Sequence, residues 1–268
     1  MNQLILFDKH HNNDTVNVQR TDITIKNSDT GEVIYEKLHN KVIVSGSAFT
    51  AAKHFNITPS VFTPSYNTIL GLDQSVNEPF TGPGIRREEQ VYLFAVGTDG
   101  CGEQASQVYD VNYSKWIAPE SLVPFRYQLD SNDLGLYLRD KYFGRRIMGN
   151  RIAYYFKAFE SAPEFKQQYI DGTPIDENVF TSARVDEIES YVELNLKITK
   201  EDCRDFFRAT TGINDAKVNT ISLLTAWKKT IDGVVYFQDI RPLTKLNFPN
   251  EALIDDSKGL DIIYHIYY

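Results

Sequence analysis

The clearest hydrophobic pattern in the chain runs from Asp186 to Thr199 (DEIESYVELNLKIT), where Val192, Leu194, Leu196 and Ile198 point one way and Glu193, Asn195, Lys197 and Thr199 the other. Successive side chains of a strand stand on opposite faces, so this alternation predicts a strand with one wet face. A continuous apolar run at 91–96 (VYLFAV) predicts a strand covered on both faces, and 152–159 (IAYYFKAF) is a second strongly β-like run. Residues 218–227 (VNTISLLTAW) fit either period, and their β-branched content favours a strand. The C-terminal stretch, 234–268, predicts a terminal strand pair docked into a sheet and is the part around which the chain is organised. In its final strand Ile262, Tyr264, Ile266 and Tyr268 alternate with Ile263, His265 and Tyr267, so both faces are expected to be covered.

Between these runs, residues 8–40 are rich in Asn, Asp and Thr and carry a turn signal at Ser28 to Gly31, which predicts an extended arm or a hairpin. After Val42–Val44, a short helical pattern places Phe49, Ala52 and Phe55 inward. Pro59, Pro64, Pro79 and Pro83 break up residues 56–90, which read as a long ordered loop. One short helix is expected within 131–142. Thr199 to Asp202 (TKED) resembles a capping box with Asp in place of Glu, opening a helix through Phe206, Phe207 and Ala209 that closes at Gly212. The expected fold is therefore mainly β (α+β), a β-sandwich-like core with a few short helices and long ordered loops. It divides into an N-terminal part, 1–130, and a C-terminal part, 131–268, or forms one continuous domain.

Composition narrows the function classes. Aromatic residues make up 13% of the 268, which favours half-buried sheets and contact surfaces. The net charge of −8 argues against general nucleic-acid binding, which needs a surplus of Lys and Arg. Cys101 and Cys203 are too few for a disulfide framework and read as two free thiols in a reducing cytosol. The four-residue apolar run Leu4–Phe7 falls short of a signal peptide, and no stretch approaches a membrane helix, so no membrane role is expected.

The search for chemistry finds little that rises above the ordinary. His10 and His11 lie in polar sequence with no further ligand nearby, and a solvated pair is expected. Gly97 to Gly102 (GTDGCG) surrounds a cysteine with glycines. Without a partnering histidine or a phosphate-loop Lys, it reads as a tight turn whose glycines supply positive φ, and Cys101 is not assigned as a nucleophile. Asp186, Glu187, Glu189 and Glu193 read as a solvated strand edge rather than a carboxylate pair. No metalloprotease, phosphate-loop, dinucleotide or nucleophile-elbow motif occurs. No catalytic residue, metal or cofactor is expected, and His265 is read as packed or interfacial.

Two blocks carry a resemblance. Asn40 to Gly46 (NKVIVSG), followed by Ala51 to Phe55 and a strand ending at Val96-Gly97-Thr98, is similar to the opening of many tail-fibre, baseplate and connector proteins of tailed bacteriophages. Tyr236 to Pro242 (YFQDIRP), Asn250-Glu251 and Asp261 to Tyr268 resemble the end of baseplate wedge proteins of contractile-tailed phages. The resemblance implies a virion structural protein of the tail, baseplate or neck, made in the bacterial cytoplasm. It implies partners that are other virion proteins and further copies of the chain, and no active site. Trp116, Phe125, Tyr127, Arg241, Tyr267 and Tyr268 are the candidate interface residues. A carbohydrate-binding or carbohydrate-cleaving β-sandwich is the second reading, motivated by Tyr113, Trp116, Phe125 and the acids near them.

Overall fold

The computed structural model describes residues 20–56, 65–72, 88–102, 107–111, 121–129, 134, 136–175, 184–212, 215–253 and 258–268. In chain order the elements are β1 (Thr21–Asn27), β2 (Val33–Leu38), β3 (Lys41–Val42), α1 (Val44–Phe55), α2 (Tyr66–Ile69) and β4 (Gln90–Gly97). There follow β5 (Leu122–Val123), β6 (Arg126–Leu129), α3 (Leu136–Arg139), β7 (Tyr142–Met148), β8 (Arg151–Ala158) and β9 (Glu164–Tyr169). The C-terminal part adds β10 (Ile188–Ile198), α4 (Arg204–Thr210), β11 (Lys217–Ile231), β12 (Val234–Ala252) and β13 (Leu260–Tyr267). The strands form two antiparallel sheets. The first has the order β2-β1-β13-β10-β9. The second runs β3-β12-β11-β4-β8, with β5 and β6 beside β4 and β8, and with β7 on the far edge of β8.

Each sheet takes strands from both sides of residue 130. The inward residues Ile23, Ile25, Leu194, Leu196, Ile198, Ile262 and Tyr264 of the first sheet pack on Phe94, Val96, Ile221, Leu223, Leu246 and Phe248 of the second. The alternate residues of β4, Leu93 and Ala95, face the other way, into a second core with Leu224, Ala226, Ile240 and the α2 residues around Tyr66. The continuous apolar runs at β4 and β8 follow from this, because the second sheet is covered on both faces.

The period-two strand is β10, with Leu194, Leu196 and Ile198 buried. It is an internal strand between β13 and β9, so its charges line an outer sheet face and not an edge. The C-terminal stretch requires a larger correction. β12 and β13 do not pair with each other: β12 joins the second sheet and β13 becomes the middle strand of the first. Only one face of β13 is fully covered, that of Leu260, Ile262, Tyr264 and Ile266, because no layer packs over His265 and Ile263 among the described residues.

Helix α1 lies on β12, and Ser45 donates to the Pro242 carbonyl. A Cβ at Gly46 would stand 2.0 Å from the Leu243 carbonyl oxygen, so only glycine permits this approach. Ala52 is buried and Phe49 partly so, but Phe55 is 75% exposed. At 100° per residue Phe55 has drifted about 120° from Phe49, off the buried stripe. The helix after Thr199 begins a turn later than its sequence signal, at Arg204, after Cys203 adopts φ 65°. The Asp202 carboxylate still accepts from the Thr199 N–H at 2.8 Å, half of the predicted box.

Tyr264 sits at the centre of the first core, fully buried, and its hydroxyl has no hydrogen-bond partner among the described residues. Burial accordingly pushes the phenol pKa up. Removing an unsatisfied buried hydroxyl recovers its desolvation cost. Tyr264→Phe is therefore expected to stabilise the chain by about 1 kcal/mol, read as a rise of about 2–4 °C in the melting temperature.

Candidate functional site

Charged side chains that might suggest chemistry are largely spent inside the fold. Lys157, next to the last residue of β8 and 1% exposed, donates to Asp202 Oδ2 at 2.8 Å and to the Lys197 carbonyl at 2.6 Å. Asp202 Oδ1 accepts from the Tyr142 hydroxyl at 2.6 Å, and Arg126 donates to the same hydroxyl at 2.8 Å. Burial first, and then Asp202, push the Tyr142 phenol upward. This network joins β6, β7 and β8 of the second sheet to the end of β10 in the first. The neighbouring Cys203 thiol is buried, and desolvation raises its pKa.

A second polar knot fixes the glycine-rich turn. Asn219 accepts from the Gly100 N–H at 2.7 Å and donates to Asn250, while Asn250 donates to the Gly102 carbonyl at 2.8 Å. None of Gly97, Gly100 and Gly102 has positive φ. Gly100 is glycine because a Cβ there would stand 2.1 Å from the Asn219 carbonyl oxygen, which corrects the expected reason. Cys101 is buried and forms a β-bridge with Val108.

The outer face of the first sheet carries two of the carboxylates singled out from sequence, Glu189 and Glu193, whereas Asp186 and Glu187 lie in the turn before β10. Glu193 binds Lys166 at 2.8 Å and His265 Nε2 at 3.1 Å, and Tyr191 stacks on His265 with ring centres 4.7 Å apart. Burial raises the Glu193 pKa, but the bonds from Lys166, Asn195 and His265 outweigh it and the net shift is downward. Glu189 pairs with Arg20 at 2.6 Å, and the Arg20 guanidinium lies 4.1 Å over the Tyr267 ring. Burial, helped by Asp22 and Glu189, pushes Tyr267 up to about 12, and burial with Glu251 does the same for Tyr35.

An unfolded tyrosine ionises near pH 10, so the contribution of these two phenols is whole below pH 10 and is lost as pH rises towards 12. The melting temperature is expected to fall across that window. Tyr35→Phe/Tyr267→Phe is expected to fall less steeply, as followed by circular dichroism.

The candidate interface residues separate. Phe125 is 1% exposed, edge-on to Phe94 at 5.1 Å, and Arg241 is buried against Glu89 at 3.1 Å. Both belong to the interior, so neither reaches a partner: an X-Pro-Phe corner and an Arg-Pro step inside long strands look like surface features until the second sheet is seen to be covered twice. Losing Phe125 also removes a ring from the proposed sugar platform. Trp116, Tyr113 and the His10-His11 pair lie outside the described residues, as does most of the loop at 56–90. Tyr267 is largely covered by Arg20. Tyr127 is half-buried against Phe206 and borders a shallow hollow with Arg151, Asp205 and Arg208. Tyr268 is 52% exposed.

Tyr268 leads to an apolar cleft. The cleft, of about 450 Å³, opens between α1 and the ends of both sheets, walled by Phe49, Val91, Val192, Leu194, Leu243 and Ile266, with Tyr268 and Pro163 on its rim. Lys53 and His54 stand at its mouth, and desolvation lowers the Lys53 pKa against the opposing pull of Glu89 and Glu88. A large exposed ring continues it: Phe165, which is in register with Val192 and 67% exposed. This surface suits the burial of apolar side chains from another molecule.

The sequence reading passed over Phe165 and Lys157, and gave Asp202 only a capping role. Lys157 had a legible signal, a lone cation inside an unbroken apolar strand. Phe165 had none, because its exposure depends on β9 lying at the end of the sheet. Compared with known proteins, the chain matches no family model, no curated protein and no solved structure.

Proposed function

We propose that this chain is a structural subunit that works by protein–protein contact, of the kind found in the tail, baseplate or neck of a tailed-phage virion. The observation that carries the contact role is the apolar surface around the cleft, where Phe165 and Tyr268 stay exposed beside a wall of apolar side chains. Large clustered apolar groups left in water mark a surface that is covered in the working state. The acidic balance of −8 supports the same role by keeping a free subunit soluble before assembly. The virion placement rests on the two sequence blocks that resemble baseplate and connector proteins.

The test is mass spectrometry of purified particles from the genome that encodes the chain. The chain is expected in fixed ratio to the tail proteins, and Phe165→Asp is expected to fold but to drop out of the particles. A chain that accumulates as a free, stable monomer and is absent from particles overturns the proposal.

A further inference from the structure

Folding brings Lys157 and Asp202 together in surroundings that offer more than an ion pair needs. Their side chains are all but closed to water, 1% and 0% exposed. Lys157 Nζ donates to Asp202 Oδ2 at 2.8 Å and to the Lys197 carbonyl at 2.6 Å, and a second carboxylate, Glu160, stands 3.6 Å from the same nitrogen. Donors meet both oxygens of Asp202. The Thr199 N–H bonds to Oδ2 at 2.8 Å, the Tyr142 hydroxyl bonds to Oδ1 at 2.6 Å, and the Arg126 guanidinium lies 3.6 Å from Oδ1. Tyr142 keeps its proton, because burial and then Asp202 push its pKa up. An amine, a carboxyl carbon beside it, a base for the amine's proton and donors for both carboxyl oxygens are what the closure of an amide requires.

We propose that Lys157 and Asp202 close an isopeptide bond without help from another molecule, which links β8 of the second sheet covalently to the turn after β10 of the first. Nζ gives a proton to Glu160 and attacks Cγ of Asp202. The charge of the tetrahedral intermediate falls on Oδ2, where the Thr199 N–H holds it, and Oδ2 remains as the amide oxygen. The Cγ–Oδ1 bond breaks, and Oδ1 leaves as water with the two protons that began on the ammonium, one of them returned by Glu160. Tyr142 and Arg126 point their donors at that departing oxygen. The single N–H left on Nζ keeps its bond to the Lys197 carbonyl. Ammonium and carboxylate thus become amide and water, with no net change of charge or oxidation state. In bulk water the reverse reaction wins. Here closure removes two charges that are held out of water, and the site excludes the water that would hydrolyse the product. Residues 157 and 202 meet only in the folded chain, so the ion pair is the starting state and the bond closes afterwards. This inference is independent of the virion reading.

The test is the intact mass of the purified full chain, measured fresh and after incubation at neutral pH, with tryptic mapping. The wild type is expected to become lighter by one water. Its digest is expected to hold a branched peptide that joins the Lys157 and Asp202 segments and is uncut after Lys157. Loss of water at Asp99-Gly100, Asp171-Gly172 or Asp232-Gly233 would instead mark a cyclic imide, which hydroxylamine opens and an isopeptide resists. The Glu160 side chain is 36% exposed, so Glu160→Gln is expected to fold, as melting curves check, and to close more slowly by about a hundredfold. A wild type that keeps its full mass, or a water loss that maps anywhere else, overturns the bond. A Glu160→Gln chain that closes as fast as the wild type overturns the assignment of Glu160 as the base.

Discussion

Removing the last strand, residues 260–268, is expected to leave no soluble folded chain. β13 is the middle strand of its sheet, in register with β1 on one side from Thr21↔Ile266 to Asn27↔Leu260 and with β10 on the other from Tyr191↔Tyr267 to Ile198↔Leu260. Its loss strips two strands of their ladder partner at once and leaves buried N–H and C=O groups unpaired. It also removes Leu260, Ile262 and Tyr264, all fully buried, from the core between the sheets. Each such side chain stabilises the fold by about 1.5–3 kcal/mol, so together they rival the whole net stability of a typical domain, about 5–15 kcal/mol. The measurement is the soluble fraction and far-ultraviolet circular dichroism of the truncated chain. A well-folded truncation contradicts the central placement of β13.

The second large effect is expected at Asp202. Replacing it by Ala leaves Lys157 buried without its carboxylate and releases the Tyr142 hydroxyl and the Thr199 N–H. Breaking one side of a buried ion pair costs about 3–5 kcal/mol, because the remaining charge stays desolvated. The melting temperature is expected to fall by about 10 °C, at about 2–4 °C per kcal/mol for a chain of this size. Lys157→Met is expected to cost a comparable amount. Combining it with Asp202→Ala is expected to cost about 2 kcal/mol less than the sum, since the second change removes the charge that the first exposed. Additive losses in thermal melts would show that the pair does not hold the two sheets together.

Much of the fold was legible where a single period decides the answer. The alternation at β10, the doubly apolar β4, the β-like run at β8 and the hairpin of β1 and β2 all follow from which neighbours each face meets. What period alone does not give is the identity of the neighbouring strand. That is why 234–268 read as a pair in one sheet, although β12 and β13 part into different sheets. The same gap explains the candidate residues. Arg241 and Phe125 carry the residue types of interfaces, but β12 and the β5–β6 corner sit inside a sheet covered on both faces, where Glu89 and Phe94 already occupy them. The cleft was beyond reach of the sequence because its walls come from α1, β4, β10, β12 and β13, brought together only by the topology.

The account stands on the claim that the working surface is the apolar edge formed by the end of α1, the rim of the cleft and β9. Hydrogen–deuterium exchange, comparing the free chain with the chain in its assembled state, tests this most directly. Protection on assembly is predicted at 163–167, at 53–55 and at Tyr268, with little change on the outer face of the first sheet around Glu193 and His265. Unchanged exchange at 163–167, or protection confined to that outer face, would contradict it.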